Sequence, residues 1–581
     1  MLELLCLLYK NDFLGGKTVK KRTKAAISAV LAFGFLGVAG VEAAPPPVPQ
    51  TAGDIRAGLQ QRAEDANAEG IVDLGGTVSE MEKPKLELPG ELKVQVNGFK
   101  ITGQEIFPED KLLALLKYEK GGLMTFGDLQ KQADILTDYF RGHGYIAARV
   151  YLPAQKINDG IVEYTVVVGR VGEVTVNNYT KIQAAVLEQQ VGFLRRDTYV
   201  TSKRLERAVW LLTDLSAANA EATLVPGTAP GTVNIVFDVK PSTEKKGMLY
   251  ADNYGNRYTG YGELGVSYDV TNPLHCGDHF ALNLLHTNRD MYNMAFHYTV
   301  PLPKDGLTAN IGYSQVSYEQ GGELRDFGLI GDSRVYSAGL DYAITRSRRN
   351  NLYAGVSFEY ANNFDEQRSA GVQYSDKTVK AGIFSLYGNE RDRRGASVWR
   401  LDYKLGNLGF NNEMTHYYYD RSNSEGTYHK LRGFFLRRQD FNPRLSLFFT
   451  ARAQLASRNL DSYEHLTIGG ISGVKAYPQS EASGDIGYLT KAELRWLLPV
   501  KAQKQSVHLA TYLEHGTIWL NKDSAGDNRR RLQGVGIGVI WQKANEWFMR
   551  ADYAWRLGSE KVYADRNDSR GRCWLQGGIY F

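Results

Sequence analysis

The 581-residue sequence predicts a membrane β-barrel of about 16 antiparallel strands, preceded by one polar helix and two small β-α-α-β-β units. Two observations predict the barrel. From Met248 to Phe581, segments of 8–12 residues alternate apolar or aromatic side chains with small or polar ones, as in YGELGVSYDV, LYAGVSFEYA and HLATYLEHGTIW. Turn clusters such as TNPLHCGD, PLPKDG, SRRNN and NKDSAGDNRR separate them. Period-two alternation with such breaks is the pattern of antiparallel sheet. Second, some 334 residues of continuous sheet need closure to hide their edges. A propeller would show a repeated blade near 40 residues, and none is visible. A third observation, a repeat of about 75 residues ahead of the barrel, predicts the paired small units.

The elements follow in order. Lys17, Lys20, Lys21, Arg22 and Lys24 precede an apolar run from Ala25 to Val41, with small residues at Ala43 and Ala44. That is a signal peptide, residues 1–43, and it sends the chain out of the cytoplasm. The segment 44–69 holds a proline spacer (Pro45–Gln50) and a helix over Asp54–Glu69, capped by Thr51 or Asp54. Ile55, Leu59 and Arg62 share helical spacing, but the rest of the surface is polar. A helix this polar is either solvent-exposed or held in a wet enclosure. Residues 70–90 form a polar linker.

Residues 91–170 read as a strand and turn (LKVQVNGFKITG), a helix over PEDKLLALLKYEKG, and a second helix over TFGDLQKQADILTDYFRGHGY. Leu129, Ala133, Leu136 and Phe140 give the second helix its apolar stripe. Strands IAARVYLP and GIVEYTVVVG close the unit. Residues 171–240 repeat the order with GEVTVNN, KIQAAVLEQQ, SKRLERAVWLLTDL, EATLVPG and GTVNIVFDVK. The strand edges of such units can accept an added extended peptide. A charged linker, Lys240–Gly247, leads into the barrel, residues 248–581. The chain ends on a strand with Phe581 last and Trp574 and Tyr580 close by, as expected where a final strand closes on the first.

Several function classes lack support. Three cysteines, Cys6, Cys276 and Cys573, give neither a disulfide framework nor metal spacing. A formal charge of +5 is too diffuse to argue for nucleic acid. Ten histidines form no zinc-ligand pattern, and no phosphate-binding loop or nucleophile elbow is visible. The expectation is no enzyme, no metal and no cofactor.

One loop stands out. Leu466–Gly487 is rich in glycine, including Gly469 and Gly470, and carries Lys475 between Val474 and Ala476, followed by Tyr477 and Pro478. Downstream, YLEHG offers Glu514 between Tyr512 and Gly516. If the loop folds inward and the strand lines a closed cavity, Lys475 and Glu514 meet. Loop, strand and domain order together resemble the transporter partner of bacterial two-partner secretion, in the Omp85 superfamily. The resemblance covers essentially the whole mature chain. It implies a helix that plugs the pore, two periplasmic POTRA domains at 91–170 and 171–240, and a barrel whose sixth extracellular loop, 466–487, folds back inside.

That family carries Val-Arg-Gly-Tyr/Phe at the loop tip, and the arginine pairs with the aspartate of a Phe-x-Asp-x-Gly strand motif. Val474 and Tyr477 match the loop motif, and Tyr512 and Gly516 the strand motif. The sequence departs at Lys475, Ala476 and Glu514. Lysine lacks arginine's planar fork, while glutamate is one methylene longer than aspartate, so the swap is expected to preserve the span. The bland alternative is two ordinary lumen charges.

The resemblance implies an outer-membrane pore that exports a large unfolded secreted protein, recognised in the periplasm through its N-terminal secretion domain. Tyr164–Val168 and the helix around Leu129–Phe140 are expected contact surfaces. Further implied partners are the barrel-assembly machinery, for which Phe581 is the terminal signal, and outer-membrane lipid. An assembly or insertion factor for outer-membrane proteins, or a general porin or receptor, remains the alternative.

Overall fold

A computed structural model describes residues 50–73, 93–242, 247–420, 422–500, 504–523, 528–566 and 568–581. The leader 1–43 and most of the 70–90 linker lie outside them. Among the described residues no helix is long and apolar enough to cross a membrane.

The chain crosses with strands. Sixteen close into one barrel. With eight strands in the preceding units, the barrel begins at β9 (Gly247–Asp252), β10 (Glu263–Thr271), β11 (His279–Thr287), β12 (Met291–Pro301) and β13 (Leu307–Glu319). It continues through β14 (Leu329–Thr345), β15 (Asn350–Gln367), β16 (Val372–Asp392), β17 (Gly395–Phe410), β18 (Gly426–Asn442) and β19 (Leu445–Ala456). The loop after β19 carries a small ladder, β20 (Leu466–Thr467) and β21 (Ser483–Gly484). The wall resumes with β22 (Ile486–Leu497), β23 (Gln505–Trp519), β24 (Arg529–Lys543), β25 (Trp547–Arg556) and β26 (Gly571–Tyr580). Alternation sets the two faces: on β16, Phe384 and Leu386 project outward, exposed, while Ser385 between them is buried.

β26 closes against β9 through Gln576↔Asp252 to Tyr580↔Met248. Beyond this pairing the Phe581 amide donates to the Gly247 carbonyl and the Gly247 amide to the Phe581 carbonyl, both at 3.0 Å. The Phe581 ring stacks on Tyr268. The terminal residue is therefore built into the seam.

Ahead of the barrel, α1 (Ala52–Asp73) lies in the lumen. Thr51 and Asp54 cap it reciprocally: the Asp54 amide donates to Thr51 Oγ1 (3.2 Å) and the Thr51 amide to Asp54 Oδ2 (3.1 Å). The helix continues past the expected end at Glu69 to Asp73, and the Glu69 carboxylate is held by Arg495 (3.0 Å).

The first unit contains β1 (Lys93–Val96), β2 (Gly98–Thr102), α2 (Glu109–Leu113), β3 (Gly122–Thr125), α3 (Phe126–Gly142), β4 (Ala148–Tyr151) and β5 (Ile161–Val168). Its sheet runs β2-β5-β4 over a core of Leu112, Leu129, Leu136, Phe140 and Val162. Two expectations need correction. The helix over 108–121 is only five residues, since Lys117 instead exchanges two backbone hydrogen bonds with the Gln132 side chain of α3 (2.9 and 3.1 Å). Tyr164–Val168 is not a ready contact surface: β5 is the central strand, and Tyr164 is fully buried with its hydroxyl donating to the Leu129 carbonyl (2.8 Å). The stripe Leu129–Phe140 likewise faces this core.

The second unit repeats the order with β6 (Arg170–Asn178), α4 (Ala184–Val191), α5 (Ser202–Thr213), β7 (Ala218–Pro226) and β8 (Thr232–Pro241). Its sheet runs β6-β8-β7. Two crossed ion pairs dock it on the barrel turns: Arg207 of α5 holds Asp305 (2.9 Å), and barrel Arg346 holds Asp214 (2.5 Å).

Candidate functional site in the barrel lumen

The inward loop is shaped by residues with no room for a side chain. Its two arms pair at Leu466↔Gly484 and Thr467↔Ser483, and the tip closes by a bridge between Gly469 and Val474. Gly470 adopts φ +85°, where a side chain strains the backbone. A Cβ on Gly469 would stand 2.5 Å from the Glu481 carbonyl. Val474, Ala476 and Tyr477 are consequently driven into a dry cluster with Ile468, Tyr512 and Leu532.

Lys475 stands within that cluster at 5% exposure and Glu514 at 1%. Lys475 Nζ donates to Glu514 Oε1 at 2.7 Å, and the Lys475 backbone amide donates to Oε2 at 2.6 Å. One residue thus fills both carboxylate oxygens. The two-point hold that an arginine fork would give is supplied by main chain plus side chain. The ammonium also lies 3.8 Å from the Tyr512 ring centroid and 3.7 Å from Glu493 Oε2. Trp574 fixes the backbone of the tip, its indole N–H donating to the Lys475 carbonyl at 2.7 Å. Gly516 lets the strand approach Ile468, whose Cβ would be 3.0 Å from an added methyl.

Behind the pair, Glu493 accepts from Arg495 (2.6 Å) and Arg550 (2.8 Å), and Arg550 also reaches Asp552 (2.7 Å). At the loop's base Glu464 meets Lys404 (2.6 Å) and Lys430. Farther along, Glu481 holds Arg530 (2.7 Å) and accepts from the Tyr563 and Ala564 amides (2.9 and 2.7 Å).

The lumen helix completes the site. Its acids face basic wall residues: Glu64 to Arg432 (2.8 Å) and Arg452 (3.3 Å), Asp65 to Arg452 (2.6 Å) and Lys491 (3.1 Å), Glu69 to Arg495 (3.0 Å). On the other side Arg62 forks onto Glu263 at 2.7 and 3.2 Å. Gln61 donates to the Ser472 carbonyl of the loop tip (3.2 Å), and Thr51 Oγ1 lies 2.7 Å from Ser462 Oγ at the loop base. The polar face is held by charge complementarity rather than by an apolar stripe. Of the two settings open to so polar a helix, it occupies the enclosed one.

Residues 231–540, more than half of the chain, match the family model described as haemolysin secretion/activation protein ShlB/FhaC/HecB, and residues 94–169 match the ShlB-type POTRA domain. The chain belongs to the haemolysin secretion/activation protein family. A heme/hemopexin transporter protein HuxB of Haemophilus influenzae (strain 86-028NP) is 27% identical over 503 residues, covering 84% of this chain and 86% of that one. An outer membrane transporter CdiB of Escherichia coli O6:K15:H31 is 23% identical over 426 residues, covering 71% and 69%. Among solved structures, CdiB from Escherichia coli superposes with TM-score 0.72 at 18% identity, over 92% of this chain and all of that one, which supports the fold. This family member is an outer-membrane transporter of the two-partner secretion type, with its POTRA domains in the periplasm.

Within the family pattern, Ala476 at the glycine position has a local explanation. It faces Gly534 of β24, where an added Cβ would be 2.9 Å from Ala476 Cβ and 3.0 Å from Val474 Cγ1. Gly534→Val is expected to push the loop tip off the wall and expose Lys475 to amine-directed labelling; unchanged protection of Lys475 in a folded barrel would contradict the fit.

Glu493, Arg550 and Trp574 were not legible as site residues. Arg550 had one available signal, a charge within the aromatic strand EWFMRADYAW. Trp574 read as a terminal aromatic, yet its ring points inward at 1% exposure.

Proposed function

We propose that this transporter exports one large secreted protein through the barrel after α1 has left the lumen, with the Lys475–Glu514 pair keeping the inward loop pinned to the wall. The observation that carries this reading is α1 itself: a helix held along the lumen by ion pairs whose acids Glu64, Asp65 and Glu69 keep 29%, 17% and 40% of their side chains exposed, beside a loop held by the Lys475–Glu514 pair at 6% and 0%. Such half-hydrated pairs fall between the about 0–1 kcal/mol of an exposed pair and the roughly 3–5 kcal/mol lost when one partner of a fully desolvated pair is removed. The helix is therefore the releasable element and the loop the fixed one. The activity proposed is passage, not catalysis.

Recognition of the exported protein's N-terminal secretion domain is assigned to β7 of the second POTRA domain. The other sheet edges are engaged at several points. On β2, Ile101 N–H is taken by Glu109 (2.9 Å); on β4, Val150 N–H by Thr137 (3.1 Å); on β6, Arg170 bridges Tyr199. On β7 the stretch beyond Ala220 extends past its bond to Thr213 and exposes Val225. An extended peptide would add there as a strand. Adjacent residues of a strand point their N–H groups to opposite sides. Of Thr223→Pro and Leu224→Pro, one should therefore abolish capture of the exported protein with the domain intact, and the other should destabilise the domain. Capture unaffected by both, in a pull-down from periplasm, would rule β7 out.

The heme/hemopexin transporter of Haemophilus influenzae (strain 86-028NP) matches a larger share of this chain than CdiB of Escherichia coli O6:K15:H31, 84% against 71%, which supports a haem-acquisition protein as the first partner to test. Co-expression with a candidate large secreted partner, followed by assay of the medium, tests the reading. Phe581 in the seam supports engagement of the barrel-assembly machinery during biogenesis, and the exposed apolar belt supports outer-membrane lipid as the surrounding partner.

A further inference from the structure

The periplasmic end of the barrel is marked by the turns that touch the second POTRA domain, and three of its hairpins are unusually rich in arginine. The β14–β15 turn holds Arg346, Arg348 and Arg349; the β16–β17 hairpin has Arg391 near the end of β16 and Arg393 and Arg394 in its turn; the β18–β19 hairpin has Arg437 and Arg438 within β18 and Arg444 in its turn. The β12–β13 turn, by contrast, carries one lysine and one aspartate. Between the first two turns lies a cleft of about 490 Å³ lined by Arg348, Arg349, Asn350, Glu390, Arg391, Asp392 and Arg393. Arg349 and Arg393 are exposed, and the Arg391 amide donates to the Arg349 carbonyl (2.7 Å), which ties the two turns together. Only two acids line the cleft, and Asp392 is already held by Arg437 (2.7 Å). The site is concave, cationic and rigidly framed.

Its level on the wall identifies the ligand. Asn350 and Glu390 are cross-strand partners on the outward face. Above them on that face stand exposed Val356, Phe358, Phe384 and Leu386, an apolar wall facing acyl chains. Trp399, opposite Gly388 and in outward phase with exposed Leu401, marks the boundary between the two. Aromatic side chains sit at the headgroup level of a bilayer, and basic pockets just beyond it meet lipid phosphates. We propose that this cleft binds the phosphate headgroup of an anionic glycerophospholipid in the periplasmic leaflet, with its acyl chains along the Phe384–Leu386 wall. An acidic polypeptide would use the charge but not the apolar wall, so the lipid is the better fit. This inference stands on the barrel's place in the outer membrane and is independent of the export reading.

The test uses the full-length protein in detergent, incubated with equimolar phosphatidylglycerol and phosphatidylcholine and read by native mass spectrometry. The expected result is a preference for phosphatidylglycerol of about fivefold or more, lost in the Arg349→Gln/Arg391→Gln/Arg393→Gln variant. Glu390→Gln, which removes the remaining acid, should strengthen the preference. Heat-modifiable migration on gels confirms that each variant is a closed barrel. No headgroup preference in the parent protein, or a preference unchanged in the triple variant, would overturn the proposal. Complete displacement of phosphatidylglycerol by millimolar inorganic phosphate or by polyglutamate would reassign the cleft to a bare anion or a polypeptide and overturn it too.

Discussion

Glu514→Gln is expected to lower export about tenfold or more while the barrel still inserts and closes. The reason is donor arithmetic. Both Glu514 oxygens accept from Lys475, one from Nζ and one from the backbone amide. A glutamine offers one acceptor and turns its amide donors toward a second donor. An ammonium left in a dry cluster costs roughly 3–5 kcal/mol, enough to release the loop tip. Glu493 at 3.7 Å offers a partial fallback, but it already serves Arg495 and Arg550. Lys475→Ala should impair export at least as much, since Glu514 then keeps only a backbone donor near Glu493. Export into the medium, normalised to heat-modifiable barrel, is the measurement. Normal export from either variant would remove the role assigned to the pair.

Glu64→Lys/Asp65→Lys is expected to open the pore. Both acids face Arg432, Arg452 and Lys491 at 2.6–3.3 Å. Reversal places like charges along the same wall and converts the hold into repulsion. Water reaches the two acids only in part, so salt screening over about 8–10 Å acts on these contacts incompletely, and reversing both acids affects four contacts together. Single-channel conductance in planar bilayers should rise several-fold, and raising salt from 0.1 to 1 M should increase open events in the parent protein. A variant as closed as the parent would mean that something other than these pairs retains α1.

The barrel was legible because its signal is local. Alternation along each segment decides which face a residue occupies, and closure follows from the length of the sheet. Lys475 and Glu514 were legible through motif position, 39 residues apart in sequence yet in direct contact. The ion pairs of α1 were not, since Glu64 and Arg432 are 368 residues apart and belong to no common motif. The buried state of Tyr164 was missed for a different reason: β5 lies between β2 and β4 through a parallel pairing with β2, an order that strand alternation does not reveal. The short α2 failed on a single contact, the Gln132 side chain that takes both backbone groups of Lys117.

The account rests most heavily on α1 leaving the lumen during export. Thr51 Oγ1 and Ser462 Oγ lie 2.7 Å apart, close enough for cysteines at these positions to cross-link the helix start to the loop base. In a Thr51→Cys/Ser462→Cys variant with Cys276 and Cys573 replaced by serine, export should stop when the tether is oxidised and return on reduction. Undiminished export with the tether formed in most molecules would contradict helix departure.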